Sequence, residues 1–396
     1  MRVLFTGQSG INVGDSLNKL CEEIRYPAPV KLETYIKDAH LENFKQSVQL
    51  DESFTNEEED ITSKGGMQKL LGSPKSYIRK LWNIGFSKML DGSKGKGDQI
   101  FSMHAVYFQT KCREFYIPSS VEHVKSLGLD YIITLVDDIY DLHARLQERG
   151  QIFAYNSLVN KVKLPEHRSF VRIFHLIQIL NWRSNEILAT EKLALQIKKP
   201  HILLAVKHPL KIVGNLILNE ALPIYISHPI GEPRRLRTSG ETIKAEAIEL
   251  EISVLIRKLS DSGMVAPIVP TTIDELRIAN SKDDESDSSK FLPSLTQRWK
   301  LLETEENLLY VSPDRAAPNP LDIDNIYHPI DKKYDESVAQ SDRESMGVLI
   351  GHVLSSAIVE QIDSRDHMLV EQSKVIVVYR PYFNGNYSRG VGEEIK

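Results

Sequence analysis

An α/β architecture of two doubly wound (Rossmann-like) parallel-sheet domains is predicted by three features of this 396-residue sequence. Apolar, β-branched runs recur along the chain, at Val3–Phe5, Tyr131–Val136, His201–Val206, Pro223–Ser227, Met264–Val269 and Val375–Tyr379. Segments with helical spacing, such as Phe170–Lys198 and Glu241–Ser260, separate them, and strands alternating with helices imply parallel pairing. Two of the runs are followed by glycine-containing turns, at Gly7–Gly14 and Ser388–Gly392, where main-chain N–H groups can approach an anion.

The first run, Val3-Leu4-Phe5-Thr6-Gly7-Gln8-Ser9-Gly10, reads as a strand, a glycine turn and the start of a helix. Tyr131–Val136 is a strand ending in the acids Asp137 and Asp138, and His201–Pro209 is a third strand after the amphipathic run. Glu57–Asp60 and Ser93–Asp98 are loops. A domain junction is expected near Asn219–Pro223, where one apolar strand-like run ends and another starts, giving domains 1–219 and 220–396. Beyond it, Glu241–Ser260 forms a helix with Ile243, Ala247, Leu250, Val254 and Leu255 on its apolar face. An acidic insertion near residues 277–345 interrupts the second domain, and Asp283–Ser289 within it has the composition of a disordered segment.

Composition narrows the function classes. With 41% hydrophobic and 26% charged residues the chain has room for two globular cores. Its longest apolar stretches, such as Ile212–Leu222, are far shorter than the roughly 18–20 residues a membrane span requires. Met1 leads straight into a strand, so no signal peptide is predicted and a cytoplasmic location is the expectation. Cys21 and Cys112 are far apart and fit no metal spacing, and no metal site is predicted. A net charge of −5 gives no strong nucleic-acid signal.

The last forty residues carry the clearest chemistry. Arg365-Asp366 lies on a helical segment, a buried strand follows, and Ser388-x-Gly390-Val391-Gly392-x-Glu394 forms a small-residue turn opening onto a second carboxylate. Ser388, Gly390 and Gly392 suit a phosphate, and the dipole of a following helix favours ionised Glu394. One carboxylate that attacks an anomeric carbon and a second that handles protons are the components of glycosidic chemistry.

This pattern resembles the 2'-deoxynucleoside 5'-phosphate N-hydrolases and the related nucleoside 2-deoxyribosyltransferases, over residues 220–396. The resemblance implies that Glu394 is the catalytic glutamate, that Asp366 is its acidic partner near sugar and base, and that Ser388 contacts the 5'-phosphate. It also implies that Tyr225, Ser227, Arg234 and Arg235 line the nucleotide site from the first loop. A nucleotide substrate, no cofactor for the glycosidase step and a homodimeric assembly follow from the same likeness. The family continues past its glutamate, so a chain ending at Lys396 implies a domain truncated at its C-terminus.

The first half resembles a P-loop nucleotide or nucleoside kinase, with Gly7 and Gly10 in the phosphate turn and Asp137 and Asp138 at the magnesium-holding strand end. That likeness implies Mg and ATP as ligands of this domain. The motif lysine is missing, because the expected Lys-Ser/Thr pair falls on Val13-Gly14, and Lys207 or Arg183 are its possible replacements. The combined expectation is an N-glycosidase regulated by a nucleotide-binding domain. A deoxyribosyl transferase, a nucleotide kinase and a non-catalytic nucleotide-binding regulator are the alternatives.

Overall fold

The computed structural model describes residues 1–48, 70, 73–109, 114–148, 165–230, 232–233, 236, 239–270, 357, 360–380, 382–383 and 386–387. In chain order the strands are β1 Arg2–Gly7, β2 Val30–Lys31, β3 Gln99–Ser102, β4 Tyr107–Gln109, β5 Glu114–Tyr116, β6 Tyr131–Val136, β7 His201–Ala205, β8 Leu222–Ser227, β9 Val265–Ile268, β10 Val375–Val378, β11 Tyr382–Phe383 and β12 Asn386–Tyr387. The helices are α1 Val13–Glu23, α2 Leu32–Val48, α3 Lys75–Ser93, α4 Val121–Ser126, α5 Ile139–Glu148, α6 Pro165–Ile197, α7 Leu210–Leu218 and α8 Thr242–Asp261. Residues 360–371 are also helical.

The protein is α/β, with a five-stranded parallel sheet of order β2-β3-β1-β6-β7 and a separate three-stranded parallel sheet of order β10-β8-β9. β1 sits between β3 and β6, in register Leu4↔Phe101 and Gly7↔Leu135. The chain leaves β1 toward β2 on one side and leaves β6 toward β7 on the other. Such a reversal opens a crevice at the carboxyl ends of the two adjacent strands, the usual ligand position in an open parallel sheet. No described helix is long and apolar enough to cross a membrane.

By compactness the chain forms two units, one of residues 1–136, 141–163 and 181–202, the other of 137–140, 164–180 and 203–396. In the first unit Leu4, Phe101 and Ile132 of the sheet pack with Leu32, Ile36, Leu81, Trp82 and Phe86 of α2 and α3 in one core. Trp82 stacks on Phe86 with ring centres 5.1 Å apart. α2 and α3 approach tightly at Gly85, where an added Cβ would lie 2.9 Å from the Ile36 main-chain nitrogen. Gly85→Ala is therefore expected to cost a net of roughly 1–2 kcal/mol, overpacking outweighing the helix-propensity gain of about 1 kcal/mol. A lower denaturant midpoint at unchanged m-value would be the signature, and an unchanged or raised midpoint would contradict it.

In the second unit β8 is the central strand, flanked in register by β10 (Tyr225↔Ile376) and β9 (Tyr225↔Ile268). The apolar run ending at Leu218, read as strand-like, is instead helix α7, buried along nearly its whole length. A short run that is apolar all round has no period to distinguish the two states, and its packing decides. The Asn215 carboxamide donates to the Ser260 carbonyl at 2.9 Å and ties α7 to α8.

Helix α8 forms where expected, but on a different face. Ala245, Ile248, Ile252 and Ile256 are buried, while Ile243 is 84% and Leu250 50% exposed. Both stripes have helical spacing, and the second is selected only by how α8 lies on its neighbours. The acidic runs Glu57–Asp60 and 277–345 lie outside the described residues.

Candidate functional site

In the first unit the carboxyl ends of β1 and β3 are held together by charge. Gly7 closes β1, and Gly10 occupies the turn at φ 94°, a conformation natural to glycine. Asn12, at φ 58°, precedes α1. Helix geometry leaves the first amides of α1, those of Val13 and Gly14, without an intrahelical acceptor. Gly7 and Gly10 thus stand at the strand–helix turn where the sequence places them. Arg145 Nε donates to the Gly10 carbonyl at 2.6 Å and fixes the turn from α5.

Glu186, on α6, was not legible as a site residue. Its carboxylate is buried and accepts three main-chain N–H bonds, from Gly7 at 3.0 Å, Ala105 at 2.8 Å and Val106 at 2.8 Å. Burial pushes this carboxyl up to about 7, against the opposing pull of His104 and of the three donors. The Gly7 N–H is therefore committed to Glu186, and an anion at this turn would have to use later amides.

The segment after β3 is held from a second side. His104 donates its N–H to Glu33 at 3.0 Å, its Nδ1 donates to the Gly7 carbonyl, and Tyr107 donates its hydroxyl to Glu33 at 3.4 Å. Beneath the turn the hydroxyl of Thr6 bonds those of Thr134 (2.9 Å) and Thr190 (3.1 Å), and Thr134 meets His201 Nε2 at 2.9 Å. Burial lowers His201 to about 4, so it acts as a neutral partner.

Asp137 and Asp138 follow directly on β6 and are buried. Asp137 Oδ1 accepts the Asp138 N–H at 2.8 Å and faces Lys207 Nζ at 3.3 Å. Lys207, considered as a replacement for the motif lysine, thus balances Asp137, and Arg183 is buried on α6. Among the described residues no group of three or more His, Cys, Asp or Glu side chains is placed to hold a metal.

In the second unit Tyr225 and Ser227 lie two residues apart on β8, on the same side of the strand, and both are fully buried. Asp366 lies on the 360–371 helical stretch, where its Oδ1 accepts from Arg365 Nε at 3.0 Å and Nη2 at 2.9 Å. Arg365 Nη2 also reaches the Pro270 carbonyl at 3.5 Å, which puts the pair at the carboxyl end of β9, beside the end of β8. Burial raises the Asp366 carboxyl, and the Arg365 charge pulls against it. Tyr225, Ser227 and Asp366 therefore lie in one unit, the first two on β8 and Asp366 on the helical stretch before β10. Arg234, Arg235, Ser388, Gly390, Gly392 and Glu394 lie outside the described residues. No protein-family model and no curated protein sequence matches this chain.

Proposed function

We propose that this chain is a nucleotide-handling enzyme whose second unit hydrolyses the N-glycosidic bond of a 2'-deoxynucleoside 5'-monophosphate. Glu394 attacks the anomeric carbon, the base departs with a proton, and water then releases the sugar phosphate from the glutamate. Asp366 orients the sugar and supplies the proton, and Ser388 with the neighbouring glycine amides grips the 5'-phosphate. Tyr225 and Ser227 on β8, together with Arg234 and Arg235, line the nucleotide. The first unit binds a nucleotide and regulates the second.

The observation that carries this reading is Asp366, a carboxyl raised by burial yet oriented by Arg365 at a strand end. A carboxyl so raised keeps its proton closer to neutral pH and suits general acid catalysis. Release of free base from a panel of nucleoside 5'-monophosphates tests it. Deoxynucleotides should be cleaved by the native protein, Glu394→Ala should abolish cleavage, and Asp366→Asn should slow it by about 10²–10⁴-fold. Base release indifferent to both substitutions, or absent from every monophosphate, would sink the proposal. Faster product formation on adding an acceptor base would make the enzyme a transferase.

A second reading makes the first unit the active one, as a nucleotide kinase or a non-catalytic nucleotide-binding regulator. The reversal of strand order between β1 and β6, with a glycine turn after β1, favours it. ATP consumption without base release would select the kinase, and ATP binding without either would select the regulator.

A further inference from the structure

The turn after β1 lacks the lysine its glycines lead one to expect, and Val13 and Gly14 stand in its place. The tertiary structure brings a lysine there from elsewhere. Lys31 closes β2 in register with Ser102 of β3, which is itself in register with Phe5 of β1. From that strand end it reaches the first turn of α1. A Cβ added to Gly14 would lie 3.1 Å from Lys31 Nζ, 3.2 Å from Cε and 3.3 Å from Cδ. The bare glycine leaves room for the whole end of that side chain.

One turn into the same helix, Ser16 is 1% exposed, and its Oγ has no hydrogen-bond partner among the described residues. Ser16 lies on the buried face of α1, two residues beyond Gly14. A buried hydroxyl without a partner costs free energy unless a ligand or water meets it. The nearby acids are otherwise disposed. Asp15 is exposed, and Glu33 accepts from His104 and Tyr107. Among the described residues no carboxylate lies within ion-pair distance of Lys31 Nζ.

We propose that Lys31, supplied by β2, is the cation that meets the polyphosphate of a nucleoside di- or triphosphate at the β1–α1 turn. The phosphate oxygens accept from the Val13 and Gly14 amides and from Nζ, taking over the role the missing motif lysine would have filled. This rests on the reading of the first unit as nucleotide-binding. It adds the residue that reads the phosphate charge.

Titration of the full chain with ATP and with inorganic tripolyphosphate tests it, alongside Lys31→Met, Lys31→Arg and Gly14→Ala. Native protein should bind both probes. Lys31→Met should weaken both by about ten- to a hundredfold, the loss of a charge-assisted hydrogen bond, with Lys31→Arg recovering part of it. Gly14→Ala keeps the lysine but pushes it aside, and should weaken binding in a chain that folds normally even if Lys31→Met does not. Native binding of ATP with unchanged affinity in Lys31→Met, or in Gly14→Ala where the former is unfolded, would overturn the role of Lys31 and leave the nucleotide reading standing. Failure of the native protein to bind either probe would overturn both.

Discussion

Glu186→Ala is expected to cost on the order of 3–6 kcal/mol, because it orphans three buried main-chain donors at once. The N–H groups of Gly7, Ala105 and Val106 have this carboxylate as acceptor, and none can turn to water without moving the ends of β1 or β3. Global unfolding monitored in urea would show the loss. Hydrogen exchange should localise it, with the amides of Gly7, Ala105 and Val106 losing protection beyond what lower stability explains.

The same residue sets a pH dependence. In the native state its carboxyl is raised to about 7 from an ordinary value of 4.5. Below about 4.5 both folded and unfolded chains hold this proton, and the contribution to stability is complete. As pH rises toward about 7 only the unfolded chain releases the proton, so stability falls, by about 3 kcal/mol in all; above it both are ionised and the curve is flat. Glu186→Gln keeps an acceptor oxygen but has no proton to lose, and should lack this slope. Parallel pH–stability curves for the two proteins would show that Glu186 titrates normally and that burial does not govern it.

The second large effect concerns Asp137 and Lys207. Asp137 is fully buried and Lys207 is 16% exposed, so removing the carboxylate takes from the ammonium a counter-charge that little water is at hand to replace. Asp137→Asn retains an oxygen for the Asp138 N–H, yet should lose about 3–5 kcal/mol. Adding Lys207→Met should restore most of that loss, since replacing both charges removes the penalty along with the attraction. A double-mutant cycle in urea measures the coupling. Additive losses would show that the pair does not act as a unit. If Asp137 chiefly served a nucleotide, Asp137→Asn would weaken ATP binding at nearly unchanged stability, the reverse of the expected pattern.

Much of the secondary structure could be read directly. The strands at Val3, Tyr131, His201, Pro223, Met264 and Val375 all form, because each is an apolar, β-branched run bounded by turn residues. β2 was not legible, since two residues carry no period, and its strand state exists only through pairing with β3. The run Ile212–Leu218 was misassigned because uniform hydrophobicity fits a buried strand and a buried helix equally.

The site divides along the same line. Gly7, Gly10, Asp137, Asp138, Tyr225 and Ser227 can be assigned to strands and their ends from the sequence, and Asp366 to a helical segment. Glu186 does not stand out, for within an amphipathic helix it reads like any solvated glutamate. Lys31 does not either, since 17 positions separate it from Gly14 with no motif between. The sequence by itself determined where most of the longer strands and helices form and that the two larger sheets are parallel, because those choices follow from local period and turn chemistry. Only the tertiary structure decided which stripe of α8 is buried, which carboxylate closes over Gly7, and which lysine reaches the turn. Those outcomes depend on strand order, and strand order is set by packing between segments far apart in the chain.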